Sequence, residues 1–350
     1  MIKYIGSKRL LLPPIVAAAR AFGDVRSALD LFSGTARVAR ALKQTGLHVI
    51  ANDHNAYAAT LARCYVQADA RRWREPAERL IAELRSAPAC DGYFTQTFAR
   101  DARYLQPHNA MRVDGIRDAI AELDLPQELE AIALTSLMEG ADRVDSTTGV
   151  QMAYLKEWSA RSHRDLELRV PELVEGCGCA LELDALEAAG ADADVAYVDP
   201  PYNQHSYLGN YHVWETLVRW DAPATYGIAN KRIDCKDRRS PFNRRHEIAP
   251  ALERVIAALR AKHLVVSFSD EGYLDRDELE RMLASRGHVR VISIDYKRYV
   301  GAQIGIYNLK GQKVGRVSHL RNRELLFLVS PHRAAVDRAA EAASRELAGQ

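Results

Sequence analysis

One segment near the start of the chain constrains the fold more than any other. Residues 27–32 are largely apolar and predict a buried strand, and residues 33–35 hold the serine, glycine and threonine of a tight turn. Residues 36–44 then show the apolar spacing of a helix, which Gly46 ends. A second short apolar strand, residues 47–51, follows directly. Strand, turn, helix and strand in this order predict the opening of a doubly wound α/β sheet.

The hydrophobic pattern changes twice along the rest of the chain. Long amphipathic stretches dominate between residues 56 and 175, whereas strand-like runs return after residue 176 and end at 324–329, after a predicted hairpin near Lys310-Gly311. We therefore predict one α/β domain made of residues 1–55 and 176–331, interrupted by a mostly helical subdomain at 56–175. Residues 332–350 predict a tail that is a surface helix or frayed.

Composition and cysteine usage argue against several classes of protein. No apolar run reaches the roughly 20 residues that cross a bilayer, and no signal peptide is visible, so we predict a cytoplasmic protein without a membrane segment. The 5 cysteines are odd in number and scattered, which argues against a disulfide framework. Cys177 and Cys179 lack the second Cys or His pair that a metal site needs.

The net charge of +2 does not by itself indicate a nucleic-acid partner, but basic residues crowd into two segments. The first contains Lys231, Arg232, Lys236, Arg238, Arg239, Arg244 and Arg245, and the second Lys310, Lys313, Arg316, Arg321 and Arg323. Such runs are either solvated faces or nucleic-acid contacts, and charge alone does not decide between the two.

The clearest chemical signal follows the fully apolar run at residues 195–198. Asp199, Pro200, Pro201 and Tyr202 come at the carboxyl end of this predicted strand, where open α/β sheets bind their ligands. Two prolines hold a rigid turn, so a carboxylate, a proline carbonyl and an aromatic ring are presented together. An aryl amine, whose lone pair is delocalised, becomes a better nucleophile when two such acceptors bind its hydrogens. The alternative is a structural Pro-Pro turn with an aromatic residue packed on it.

A second signal lies in the opening unit. Asp30 to Thr35 span the end of the first strand and the turn after it, and Asp53 follows the second strand, where an acid can bind ribose hydroxyls. A dinucleotide site normally has three glycines, but only Gly34 is present here. A cofactor with ribose and adenine but no pyrophosphate, such as S-adenosylmethionine, fits this difference. A purely structural β–α turn is the alternative interpretation.

Taken together, these segments and the lysine- and tyrosine-containing residues 3–9 resemble the D12 class of DNA adenine methyltransferases over nearly the whole chain. Residues 206–217 are similar to the subgroup typified by the FokI methylase, and residues 147–150 and 240–243 support that grouping. The resemblance implies a Rossmann-like, doubly wound seven-stranded methyltransferase sheet with an inserted, mostly helical target-recognition subdomain.

The resemblance also implies roles for individual residues. Cofactor-binding positions would be Tyr4, Lys8, Asp30, Phe32, Gly34, Thr35, Asp53, Asp184 and Ala185, and catalytic positions Asp199, Pro200, Pro201 and Tyr202. The basic residues at positions 231–245 would contact DNA. No metal is implied.

The function that follows is site-specific methylation of adenine N6 in double-stranded DNA by base flipping, with S-adenosylmethionine as donor. We expect a monomer that serves a restriction-modification system, whose endonuclease acts separately. The alternatives are an RNA adenine-N6 or DNA cytosine-N4 methyltransferase, and a catalytically silent DNA-binding regulator on the same fold; an intact Asp199 argues against the regulator. The missing glycines argue against an NAD-dependent dehydrogenase.

Overall fold

The computed structural model of the chain describes residues 1–152, 157–297, 306–307, 313–315 and 321–349. Its strands are β1 Ser27–Asp30, β2 His48–Asn52, β3 Gly178–Leu181, β4 Val195–Val198, β5 Thr225–Tyr226, β6 Lys231–Arg232, β7 His263–Ser269, β8 His288–Lys297, β9 Ile306–Tyr307, β10 Lys313–Gly315 and β11 Arg321–Ser330. Its α-helices are α1 Leu12–Ala21, α2 Arg37–Gln44, α3 Ala56–Ala62, α4 Ala70–Leu84, α5 Pro107–Glu122, α6 Gln127–Val144, α7 Ala185–Ala188, α8 Tyr207–Asn210, α9 His212–Arg219, α10 Ile248–Ala258, α11 Arg276–Ala284 and α12 Arg333–Ala348.

The main sheet has 7 strands in the order β3-β2-β1-β4-β7-β11-β8. The neighbours from β3 to β7 are parallel, and β11 runs antiparallel between β7 and β8. All residues of β4 and β7 are buried, as expected for central parallel strands covered by helices on both faces. The predicted doubly wound α/β sheet is therefore confirmed. Strand order reverses beside β1, so its carboxyl end is the place where such sheets bind ligands.

Two apolar cores lie on the two faces of this sheet. One joins α1, α2 and α12 to the sheet, with Ile15, Leu42 and Val265 among its members. The other packs α10 and α11 on the opposite face, with Leu252 and Leu279 fully buried. This covering of both faces explains why the central strands read as continuous apolar runs in the sequence.

The chain after residue 331 is an integral part of the first core. The sequence predicts a surface helix or a frayed tail there, but α12 buries Ala335, Val336, Ala339 and Ala343 and packs against α1. Small residues on this side let the two helices approach closely. The apolar side of α12 is therefore buried against α1. A sequence rich in alanine, glutamate and arginine does not by itself indicate this burial.

The helical segment at residues 56–175 forms the connection between the adjacent parallel strands β2 and β3. Ala58 and Leu61 of α3 belong to the same core as Val49 of β2, so the segment shares apolar packing with the sheet. Its division from the catalytic domain, and that domain's own boundaries, remain predictions. The hairpin predicted near Lys310-Gly311 lies outside the described residues, but the flanking strands β9 and β10 are antiparallel.

No helix among the described residues is long and apolar enough to cross a membrane.

Candidate active site

A cavity of about 480 Å³ opens where β1, β2 and β4 end. Ligand sites commonly have such volumes, and this one lies at the reversal of strand order. Every predicted cofactor residue lines it, namely Tyr4, Lys8, Asp30, Phe32, Gly34, Thr35, Asp53, Asp184 and Ala185. Asp199 and Pro201 line the same cavity. The fold thus brings the predicted cofactor loop and the predicted catalytic acid to one space.

The turn after β1 is shaped by left-handed backbone and by two acids. Gly34 has φ 51°, a left-handed conformation that other residues rarely adopt. A Cβ built on it would also lie only 3.1 Å from the Tyr4 ring, so both the backbone and the available space favour glycine. The Gly34 N–H donates to Asp53 Oδ2 at 3.0 Å, and the Ala39 N–H donates to Asp30 Oδ2 at 3.0 Å. Both carboxylates therefore stabilise the loop whether or not a ligand is bound.

Two polar atoms at this turn are buried and have no hydrogen-bond partner among the described residues: Asp30 Oδ1 and Ser33 Oγ. Burial raises the pKa of Asp30 to about 8. Unsatisfied buried polar atoms are costly and rare, so their presence at a cavity wall indicates that a polar ligand completes the site. A carboxyl oxygen and a hydroxyl oxygen in this position can accept hydrogen bonds from a cationic group such as an α-ammonium.

The N-terminal segment closes one side of the cavity through aromatic packing. The Tyr4 ring stacks on Tyr207 and Tyr211, with centroid distances of 5.2 and 4.6 Å. The Ile5 N–H donates to Tyr211 Oη at 2.6 Å, and Lys3 Nζ pairs with Asp145 at 2.6 Å. These contacts join residues before β1 to the end of α6, through Asp145, and to the region of α8 and α9 after β4, through Tyr207 and Tyr211. The segment is therefore ordered and is part of the site.

Lys8 lines the cavity and also contacts two carboxylates of the protein. Its Nζ lies 3.0 Å from Asp199 Oδ1 and 2.5 Å from Glu324 Oε1, and the lysine is buried. Ser267 Oγ also donates to Glu324 Oε1. Burial raises the pKa of Asp199 to about 6, although the Lys8 charge acts in the opposite direction. Lys8 thus contacts the predicted catalytic acid, and its cofactor role remains a prediction.

Residues 199–202 form the predicted catalytic turn, and two of its residues lie outside the cavity wall. Pro200 is buried, and neither it nor Tyr202 lines the cavity. The Tyr202 ring packs on Phe268 with centroids 5.4 Å apart, and Lys8 Nζ lies 5.9 Å from its centre. Stacking of Tyr202 on a base, and acceptance of a hydrogen bond by the Pro200 carbonyl, remain predictions.

Several cavity residues were not identified from the sequence as site residues. Phe242 packs edge-on against Phe32 at 5.1 Å, and Asn243 Nδ2 donates to the carbonyls of Asn203 and His205 at 2.7 and 3.0 Å. In the sequence, residues 240–243 indicate only the subgroup. Arg37 also lines the cavity. Glu324 does not line it but pairs with Lys8. Glu324 could have been suspected because it is an acid that begins an apolar run.

The basic segment requires a correction. Arg232 is 3% exposed, and its guanidinium pairs with Asp221 at 2.6 Å and with Asp234 at 3.1 Å. It is therefore not available to a DNA phosphate, because its tertiary role is to neutralise these acids. Arg238 is half-buried and pairs with the buried Glu215 at 2.8 Å, which also limits its use in DNA contact.

The remaining predicted DNA contacts differ in exposure. Lys231 is half-buried beside Met152, whereas Lys236, Arg239, Arg244 and Arg245 are exposed. Arg244 pairs with Glu247 at 2.5 Å on the surface, a contact that a phosphate can replace at little cost. The prediction of DNA contact stands for these exposed residues.

Comparison with known proteins supports the resemblance. The chain is 30% identical over 323 residues to modification methylase StsI of Streptococcus sanguinis, covering 85% of this chain and 49% of that protein. It is 28% identical to type II methyltransferase M.FokI of Planomicrobium okeanokoites, covering 85% of this chain and 50% of that protein. It is 25% identical to type II methyltransferase M.NlaIII of Neisseria lactamica, covering 83% of this chain and 89% of that protein. The chain therefore spans about half the length of the first two relatives.

The family model of the D12 class N6 adenine-specific DNA methyltransferases matches residues 4–282, from the N-terminal aromatic segment through the cofactor turn and the catalytic turn to α11. Since this match covers most of the chain and includes the residues that converge on the cavity, the chain belongs to the D12 class of N6 adenine-specific DNA methyltransferases.

Proposed function

We propose that this chain transfers a methyl group from S-adenosylmethionine to N6 of adenine at a specific sequence in double-stranded DNA. The observation that supports it most directly is that Asp199 lines the same cavity as the Gly34 turn and Asp53. Family membership and the modification methylases among the relatives support the same chemistry. The biological role would be the modification step of a restriction-modification system, with a separate cognate endonuclease.

The cofactor part of the proposal follows from the unsatisfied groups of the cavity. Asp30 Oδ1 and Ser33 Oγ would bind the amino-acid end of the cofactor, beside Phe32, Gly34 and Thr35. Asp53 would accept from ribose hydroxyls, and Asp184 and Ala185 lie where the adenine would be recognised. When bound, S-adenosylmethionine supplies an electrophilic methyl group on a sulfonium.

Asp199 would bind the amine that receives the methyl group. Lys8 holds Asp199 Oδ1, which orients the carboxylate and leaves Oδ2 to accept an amine hydrogen. A second acceptor, assigned to the Pro200 carbonyl, would favour a pyramidal nitrogen with a localised lone pair. Asp199 is well suited to take the proton that the nitrogen loses, because burial raises its pKa to about 6. No covalent enzyme intermediate is needed.

Recognition of DNA would come from other parts of the chain. We assign target reading to residues 56–175 and phosphate contact to the exposed basic residues Lys236, Arg239, Arg244 and Arg245. Rotating the target adenine out of the duplex costs a few kcal/mol, and Tyr202 would stack on the extruded base. A monomer acting in the cytoplasm, where the cell's own DNA is modified, is part of the proposal.

The direct experiment incubates unmodified plasmid DNA and labelled S-adenosylmethionine with the protein, then maps modified bases by sequencing. Label on adenine in a recurring sequence is expected. Asp199→Ala should abolish transfer while cofactor affinity changes little, and the surface variant Asp192→Ala, whose side chain is 79% exposed, should behave like the parent. Label on cytosine or on RNA alone, or normal turnover by Asp199→Ala, would contradict the proposal.

A further inference from the structure

The cations that line the cavity differ in whether the protein neutralises them. Lys8 is held by Asp199 and Glu324, and Arg238 pairs with Glu215. Arg239 is exposed and donates from Nε to the Lys236 carbonyl at 2.7 Å. Within the ranges that the structure describes, Arg37 makes no hydrogen bond or ion pair. Arg37 is therefore the half-buried cation of this cavity that still lacks an anion.

The surroundings of Arg37 make this situation unfavourable without a ligand. Its Nε is buried without an acceptor, and burial together with the positive charges of Arg9 and Arg40 lowers the pKa of its guanidinium. Arg40 is neutralised by Glu172 at 2.7 Å, whereas Arg9 is exposed. A half-buried charge next to other charges of the same sign is stabilised when an anion binds it.

The position of Arg37 indicates which end of a ligand it meets. It is the first residue of the 8-residue helix α2, directly after the Gly34 turn and the left-handed Ala36 at φ 56°. The positive end of the helix dipole and free backbone N–H groups add to the attraction for an anion there. Asp30 Oδ1 and Ser33 Oγ lie beside the same turn, and neither has a hydrogen-bond partner among the described residues. Both oxygens can accept hydrogen bonds from a cation. The turn thus offers separate places for the two charges of an amino acid.

On the basis of the function proposed above, we infer that Arg37 binds the α-carboxylate of the cofactor's amino-acid moiety, while Asp30 and Ser33 receive its α-ammonium group. Lys8, the buried lysine of the cavity, does not serve this carboxylate, because two protein carboxylates already hold it. Arg37 is in this sense a binding residue for the zwitterionic end of the cofactor. A planar guanidinium can make two parallel hydrogen bonds to a carboxylate.

Two ligands that differ only in this moiety test the inference by isothermal titration with the whole chain. S-adenosylhomocysteine carries the α-carboxylate, whereas 5′-methylthioadenosine lacks the amino acid. Arg37→Gln should weaken S-adenosylhomocysteine roughly 10-fold or more, the range expected for loss of a charged hydrogen bond. Affinity for 5′-methylthioadenosine should stay within about 2-fold of the parent, because its contacts do not involve Arg37.

Arg40→Gln is the matched control, because it removes one positive charge a turn further along α2 at a residue that does not line the cavity. It should leave both affinities nearly unchanged. Equal loss in both arginine variants would indicate a long-range charge effect and overturn the inference. So would unchanged S-adenosylhomocysteine binding in Arg37→Gln with weaker DNA binding, which would assign Arg37 to a phosphate. Failure of the parent protein to bind either ligand would instead contradict the proposed cofactor.

Discussion

Lys8 lies between Asp199, which follows β4, and Glu324, which lies on β11, and both carboxylates are within 3.0 Å of its ammonium group. Because Lys8 carries one positive charge and Asp199 and Glu324 carry two negative charges, the three groups together have a net charge of about −1 when both acids are ionised. That charge and burial raise the pKa of Asp199, whereas Lys8 lowers it. Glu324 therefore positions Lys8 and also affects the protonation of Asp199, although it does not touch the cavity itself.

This arrangement predicts the pH dependence of methyl transfer. Asp199 must be ionised to accept an amine hydrogen, so the rate should fall as pH decreases through about 6. Glu324→Gln removes a charge that raises the pKa of Asp199, so the acidic limb of the kcat profile should move to lower pH. Among the residues that the structure describes, the titratable groups around Asp199 include Lys8, Glu324, Asp30, Tyr197 and Tyr207.

Steady-state kinetics between pH 5 and 8, with cofactor affinity measured in parallel, provides the readout for Glu324→Gln. A merely structural role for Glu324 would lower kcat without moving the limb. Glu280→Gln is the control, because Glu280 on α11 is only half-buried and pairs with the surface residue Arg276, and it should leave the profile in place. An unmoved limb in Glu324→Gln would show that Glu324 does not influence Asp199.

At the scale of elements, α12 provides a cover for the sheet through small residues. Ala339 is fully buried against α1, whereas Ala334 on the same helix is exposed. Ala339→Glu would place a carboxylate in an apolar contact without a partner. We expect it to lower the free energy of unfolding by roughly 3 kcal/mol or more.

Denaturant unfolding followed by circular dichroism measures this effect, with Ala334→Glu as the control on the exposed side. The control should change stability by less than about 0.5 kcal/mol. Similar stabilities for the two variants would mean that α12 detaches without cost, as a frayed tail would.

At the scale of the whole molecule, a net charge of +2 hides an uneven distribution. Some arginines of the basic segment neutralise acids inside the protein, as Arg232 does, and others, such as Arg245, extend into solvent. Only the exposed group can release counterions from DNA when it binds. The number of useful cations is therefore smaller than the sequence suggests.

Two substitutions separate these groups. Arg245→Ala should weaken DNA binding for all sequences and reduce the slope of log affinity against log salt by about 1. Arg232→Ala should instead lower the free energy of unfolding by roughly 1–3 kcal/mol, because the buried Arg232 side chain loses its packing and its hydrogen bonds to Asp221 and Asp234. Fluorescence anisotropy across a salt series, together with denaturant unfolding, distinguishes them. A reduced salt slope in folded Arg232→Ala would contradict the assignment.

Much of the fold and the composition of the cavity wall could be predicted from local patterns. The apolar runs that became β1, β2, β4 and β7 are short and bounded by turns, so their pattern was sufficient. Asp30, Gly34, Asp53 and Asp199 stand at the ends of parallel strands, and the sheet necessarily brings such ends to one edge. The order of these motifs was also enough to indicate the family.

The tertiary structure decided how the charged groups pair. Lys8 and Glu324 are 316 residues apart in sequence, so no local pattern could place them in contact. Likewise, the sequence shows neither that Arg232 turns inward nor that Arg37 lacks an anion. The physical reason is that strand and helix patterns report which side of a segment is buried, whereas the partner of a buried charge depends on distant segments that only the folded chain brings together.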